Sequence, residues 1–269
     1  MPSLSRLLEK SLPGLYETLR TARDKRELEQ IFAKISANKD LVVEAGPFRG
    51  MRYLPRLTAS DTLLSHTVVP KLLGSYEIEL HDALAAVFER KYRQIINIGS
   101  AEGYYAVGLA LNMPDVPIYA FDIASTNREL CAEMARINGV ADRIFIGAEC
   151  TMDELARLAE ESLIVCDCEG CELELLRPDL IPGLRTSDVV VELHDCVDET
   201  ISPTILARFA ESHDVNVVTK VDRDASSYSA ISDLTPLQQN LAMSEFRWGP
   251  LLWAFLSAKT RKAPTDGLG

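Results

Sequence analysis

From residue 93 onward the chain alternates short apolar runs with helix-patterned segments, and few architectures accept that order. "RQIINIG" precedes "YYAVGLALNM", "VPIYAFD" precedes "NRELCAEMARING", and "RIFIGA" precedes "TMDELARLAEE". "LIVCD", "DVVVEL" and "VNVVTKV" supply three further runs, the last two separated by "PTILARFAES". Each run is nearly all apolar rather than alternating, so both faces of each strand are expected to be covered. Such strands, separated by helices, predict a parallel sheet with helices on both sides. Asn138-Gly139 reads as a helix stop, and Thr151 with Glu154 reads as a capping box.

The segment before residue 93 reads differently. Residues 1–40 have helical spacing interrupted at Pro13-Gly14. Residues 41–60 carry Gly46-Pro47 and Gly50 and predict a small hairpin or loop cover. "VVPKLLGSYEIELHDALAAVFERK" reads as a loop through Gly74-Ser75 followed by a helix. The expected division is a helical and hairpin cap over 1–80, the sheet domain over 81–260 and a flexible tail over 261–269.

Charge narrows the function classes. The formal net charge is −12, which suits neither a phosphate backbone nor an anionic lipid surface, so no nucleic-acid or membrane partner is expected. No apolar run approaches the ~18 residues of a membrane helix. "MPSLSRLLEKSLPGLYETLR" lacks the apolar core of a signal peptide. A cytoplasmic protein with six reduced cysteines is therefore expected. Cys166, Cys168, Cys171 and Cys196 could be imagined around zinc, but C-x-C-x-x-C without a second knuckle is not a usual zinc spacing. Cys168, beside Asp167, is the thiol expected to react if it is exposed.

Ligands of an open parallel sheet bind beyond the carboxyl ends of its strands. The first strand is followed by "NIGSAEGYY", with Gly99 and Gly103 but Ala101 between them. The second ends at Asp122, about where an acid holds a ribose diol. NAD and S-adenosylmethionine both fit this much. The fourth and fifth strands lead into Asp167-Cys168-Glu169-Gly170 and Glu192-Leu193-His194-Asp195.

"INIGSAEGYYAVGLA", "AFD", "CDCEGCELELL" and "VVVELH" together resemble the FkbM-type methyltransferases. The resemblance covers roughly residues 46–220, and "SEFRWGPLLWAFL" is similar to the last, antiparallel strand region of such sheets. It implies a Rossmann-like class I fold, a mostly parallel seven-stranded sheet, and S-adenosylmethionine-dependent O-methylation of a small-molecule or glycan hydroxyl. It also implies that Asn97, Gly99, Ser100, Gly103 and Tyr104 cradle the cofactor at the first turn. Asp122 with Ile123 would take the ribose, Ala148 and Glu149 would border the adenine, and Asp167 would lie near the sulfonium methyl. Ser75, Tyr76 and Glu77 would fold over the amino-acid end. Tyr104 and Tyr105 have helix packing as their other reading. Asn97 stands where the family usually has Asp, and Ala101 where it often has Asn; Glu77 and Asp167 could supply the charge that Asn97 lacks.

His194 between acids could take a proton as a neutral imidazole, or be a hydrogen-bonded structural residue. Asp167, Glu192 and His194, with Glu169 and Asp195 nearby, could hold Mg²⁺ or another divalent cation. Alternatively, Glu169 and Glu172 cap the following helix. A homodimer is compatible with the sequence. Two other functional readings stay open: a non-catalytic nucleotide-binding scaffold, and an NAD-dependent oxidoreductase.

Overall fold

The computed structural model describes residues 13–36, 41–54, 63–245 and 252–260. Its sheet contains β1 (Ile95–Ile98), β2 (Ile118–Phe121), β3 (Ile144–Gly147), β4 (Leu163–Cys166), β5 (Asp188–Glu192), β6 (His213–Thr219) and β7 (Leu252–Ala258). The strand order is β3-β2-β1-β4-β5-β7-β6. β1 pairs in parallel with both β2 and β4, and β7 runs antiparallel to β5 and β6. This is the Rossmann-like class I methyltransferase sheet, seven-stranded and mostly parallel, that the resemblance implies; the apolar runs predict its parallel strands, but β6 is antiparallel and mostly exposed rather than covered on both faces. The chain leaves β1 toward β2 on one side and later pairs β4 on the other, so the switch point lies at the ends of β1 and β4.

The strand residues alternate between two cores, as a pleat requires. Ile95, Leu163 and Val165 pack with α4 (Tyr104–Asn112) and α5 (Ser125–Ile137), through Leu109, Cys131 and Met134. Val43, Phe48, Met51 and Tyr53 belong to that same core, so the hairpin segment is packed on the sheet's helices. Ile96, Ile98 and Ile164 face the opposite side, where α6 (Met152–Leu158) and α8 (Ile201–Phe209) bring Leu155, Ile205 and Phe209. Thr151 and Glu154 make both halves of the expected capping box at α6.

α1 (Pro13–Ser36) opens on Pro13, which is accommodated in the first helical turn, and the residues before it lie outside the described ones. One upstream reading needs correction. The stretch before Gly74 is not a loop but α2 (Leu63–Leu73), which contains Pro70. The carbonyl of Pro70 accepts from Ser75 and Tyr76, and left-handed Gly74 ends the helix. α3 (His81–Phe88) follows as expected, α7 (Glu172–Leu175) follows β4, and α9 (Pro236–Ala242) lies before β7. Residues 1–12, 246–251 and 261–269, the last of them the expected flexible tail, lie outside the described residues. Among the described residues, no helix is long and apolar enough to cross a membrane.

Candidate functional site

The carboxyl ends of β1, β2, β3 and β4 open onto a cavity of about 710 Å³. Gly99, Asp122, Ile123, Ala148, Glu149 and Asp167 line it, as do Ala101, Asn127, Asp153, Cys168, Glu169 and Glu174. Among the described residues, six of its lining side chains are carboxylates, and none is Lys, Arg or His.

The first turn is built for close approach. Gly99 has φ +77°, and a Cβ placed there would lie 1.6 Å from the carbonyl oxygen of Asp167. The backbone after β4 therefore rests directly on the turn after β1, which only glycine permits. Gly103 (φ +93°) faces α5 instead: an added Cβ would meet Cys131 Sγ at 2.9 Å, so its bare backbone lets α5 pack closely. Between them Ala101 is left-handed at φ +46°, a region that costs an L-residue roughly 1–2 kcal/mol. Its N–H donates to Asp122 Oδ2 at 2.8 Å, which helps hold this conformation.

Asp122 is fixed from several sides. Ala124 N–H donates to Oδ1 at 2.9 Å, and Asn127 Nδ2 reaches both oxygens at 3.1 and 3.2 Å. A carboxylate with two oxygens still has acceptor capacity toward the cavity it lines.

The other predicted cofactor residues stand outside this lining. Asn97 is buried in β1, and its Nδ2 donates to the Val165 carbonyl at 3.4 Å. Ser100 and Tyr104 are buried, and Tyr104 stacks edge-on with Phe48 and Tyr76. Ser75 and Glu77 are also buried. The Ser75 carbonyl accepts from Arg223 Nε at 3.0 Å, and Glu77 accepts from the Tyr105 hydroxyl. The backbone N–H of Glu77 donates to Glu245 at 2.8 Å.

A buried ion pair that the sequence reading missed sits directly behind the first turn. Lys71 Nζ of α2 lies 2.5 Å from Glu102 Oε1, and the two side chains are 4% and 0% exposed. The Tyr53 hydroxyl donates to the same oxygen, and the Lys71 ammonium lies over the rings of Tyr76 and Tyr104. Burial alone would raise the Glu102 pKa, but the Lys71 charge and these hydrogen bonds bring it below the usual value. The available signal was a lone lysine within the apolar run "VVPKLL" and a lone glutamate in the glycine turn.

The cysteines depart from expectation. Cys168 and Cys171 form a disulfide, so the chain does not carry six free thiols. The loop after β4 folds back through left-handed Glu169 and Gly170, bringing the two Cα atoms to 5.6 Å, within disulfide reach. Cys168 is therefore not a free thiol at the cavity wall in this state. Cys166 is buried in β4, which pushes its thiol pKa well up, and Cys196 is the exposed free cysteine.

His194 follows β5 and is 5% exposed. Its Nδ1 lies 2.6 Å from Glu172 Oε1, while Nε2 faces Glu169, Asp167 and Glu192 at 3.4, 3.5 and 3.8 Å. Burial lowers its pKa, but the Glu172 hydrogen bond and the Glu192 and Asp167 charges outweigh that and raise it to about 9. The Glu172 hydrogen bond and the neighbouring acids thus favour the charged ring over the neutral imidazole that the sequence suggested. An imidazole Hε1 resonance followed by NMR should titrate well above 6.5. Because the folded-state pKa is raised, the stability it contributes is full below about pH 6.5 and is lost as pH rises toward about 9. His194→Asn should flatten that alkaline decline; an unchanged decline would contradict the assignment.

No family model and no curated protein matches the chain. Solved structures with similar folds include the O-methyltransferase TomG from Streptomyces achromogenes, involved in tomaymycin synthesis and determined with S-adenosylmethionine. It is 14% identical, over 67% of this chain and 79% of that one, with a TM-score of 0.45. The precorrin-6y C5,15-methyltransferase from Geobacter metallireducens is 13% identical over 65% and 88% of the two chains, with a TM-score of 0.46. An O-methyltransferase from Bacillus cereus, determined with S-adenosylhomocysteine, is 10% identical over 94% and 97%, with a TM-score of 0.44.

Proposed function

We propose that the chain is an S-adenosylmethionine-dependent methyltransferase that transfers the methyl group to a hydroxyl of a small molecule or glycan. The observation that carries this reading is the charge of the cavity. Among the described residues its lining holds Asp122, Glu149, Asp153, Asp167, Glu169 and Glu174 and no basic side chain. A sulfonium cation is favoured in such a field, whereas the diphosphate of NAD is repelled by it.

In this reading Asp122 holds the ribose hydroxyls, Ala148 and Glu149 border the base, and Asp167 lies near the transferring methyl. The cofactor brings a methyl group already activated as a sulfonium. The acceptor oxygen forms the new bond to carbon, the carbon–sulfur bond breaks toward sulfur, and the hydroxyl proton must leave. Asp167 and His194, which meet at the ends of β4 and β5, are the candidate groups to receive it. Much of the rate comes from positioning.

Saturating S-adenosylhomocysteine should raise the thermal midpoint by roughly 5 °C or more, while NADH should leave it unchanged. A shift with NADH alone would replace this reading with the oxidoreductase one. Binding without transfer of labelled methyl to any hydroxylated acceptor would favour a scaffold.

A further inference from the structure

β6 ends the sheet, and among the described residues no strand pairs with its outer edge. Its seven residues match β7 one for one, with neither a bulge nor a proline. Natural edges are commonly blunted by such interruptions, so a long regular edge is a ready template for another strand. The Lys259 N–H donates to the Ser212 carbonyl at 3.0 Å, whereas Leu252, at an even position of β7, turns its carbonyl to Leu193 on the β5 side. Antiparallel bonding alternates along a strand, so Asp214, Asn216 and Val218 turn their backbone groups to β7. Val215, Val217 and Thr219 turn theirs outward. The Val215 and Val217 side chains share one face and are 39% and 40% exposed.

This edge complements itself. A second copy related by a two-fold axis through Val217 sets Val217 opposite its twin, Val215 opposite Thr219 and Asp214 opposite Lys220. Outward backbone groups then meet outward backbone groups, as a hydrogen-bonded ladder requires. Valine and threonine come together on one face, and an exposed acid meets an exposed base on the other, twice by symmetry. The neighbouring symmetric registers do worse. An axis through Val218 or Thr219 sets Asp214 opposite Asp222 or Asp224, and one through Asn216 or Val215 sets it opposite Val218 or Asn216. We infer that two copies of this chain pair antiparallel along β6 in the Val217 register, joining their sheets into one. Seven residues per copy make a small contact, so a roughly micromolar dissociation constant is expected. The cavity lies at the ends of β1 to β4, with β5 and β7 between it and this edge, so pairing leaves it open. The inference does not rest on the methyl-transfer reading.

Sedimentation equilibrium of the full chain from about 1 to 200 µM tests this, with reductant present so that exposed Cys196 cannot cross-link. A monomer–dimer equilibrium is expected. Val217→Pro removes the central outward N–H at an edge position, where proline is otherwise tolerated, and should weaken pairing about tenfold or more. Asp214→Lys sets like charges opposite each other at both ends and should weaken pairing by about as much. Adding Lys220→Asp to Asp214→Lys reverses both pairs and should restore the wild-type constant to within about threefold. Circular dichroism should stay native in all three. The inference falls if the wild-type chain stays monomeric throughout, if Val217→Pro dimerises as well as wild type, or if the charge-reversed double variant pairs no better than Asp214→Lys alone.

Discussion

Glu102→Ala is expected to lower the unfolding free energy by about 3–5 kcal/mol, read from urea denaturation. The substitution leaves the Lys71 ammonium buried without its anion, and the Tyr53 hydroxyl without its acceptor. The Tyr76 and Tyr104 rings, 4.6 and 5.2 Å from Lys71 Nζ, compensate only in part. The charge, not the shape, is what the structure cannot absorb, so Lys71→Met combined with Glu102→Leu should recover most of the loss. A loss below about 1 kcal/mol for the single variant would contradict a dry, paired site. Because Glu102 lies between Ala101 and Gly103, its loss should also reach the turn that walls the cavity, and Glu102→Ala should bind cofactor more weakly than the double variant does.

Asp122→Ala should weaken S-adenosylhomocysteine binding by about 100-fold or more, measured by calorimetry. Two hydrogen bonds from ribose hydroxyls to a carboxylate are worth about 1.5–3 kcal/mol each. The carboxylate also accepts from Ala101 and Ala124, so its removal releases the strained turn at Ala101. Asp122→Asn keeps the size but replaces one acceptor oxygen with a donor facing those N–H groups, and should rank between alanine and wild type. Asn127→Ala, which removes only a support, should cost far less. Equal binding by Asp122→Ala and wild type would remove Asp122 from the site.

Much of this was legible in the sequence, for identifiable reasons. The sheet was legible because fully buried strands must be continuous apolar runs, as "IINI" and "VVVE" are. Gly99, Asp122 and Asp167 were legible because strand ends converge wherever the sheet is parallel. The α2 helix was not, because Pro70 usually marks a break and here its cost is met by tertiary packing of Val68, Val69 and Leu72. The Cys168–Cys171 pairing depends on two consecutive left-handed residues, which sequence spacing does not announce. The protonation of His194 was out of reach as well. It is set by carboxylates from the β4 loop, α7 and β5, which become neighbours only when β4 and β5 pair. Lys71 and Glu102 are separated by 31 residues, and each alone reads as an ordinary surface charge.

A calorimetric titration of S-adenosylhomocysteine into the full chain tests the central claim most directly. One site per chain with micromolar affinity, lost in Asp122→Ala, is the predicted result. No heat from the wild-type chain, together with no thermal shift, would contradict it.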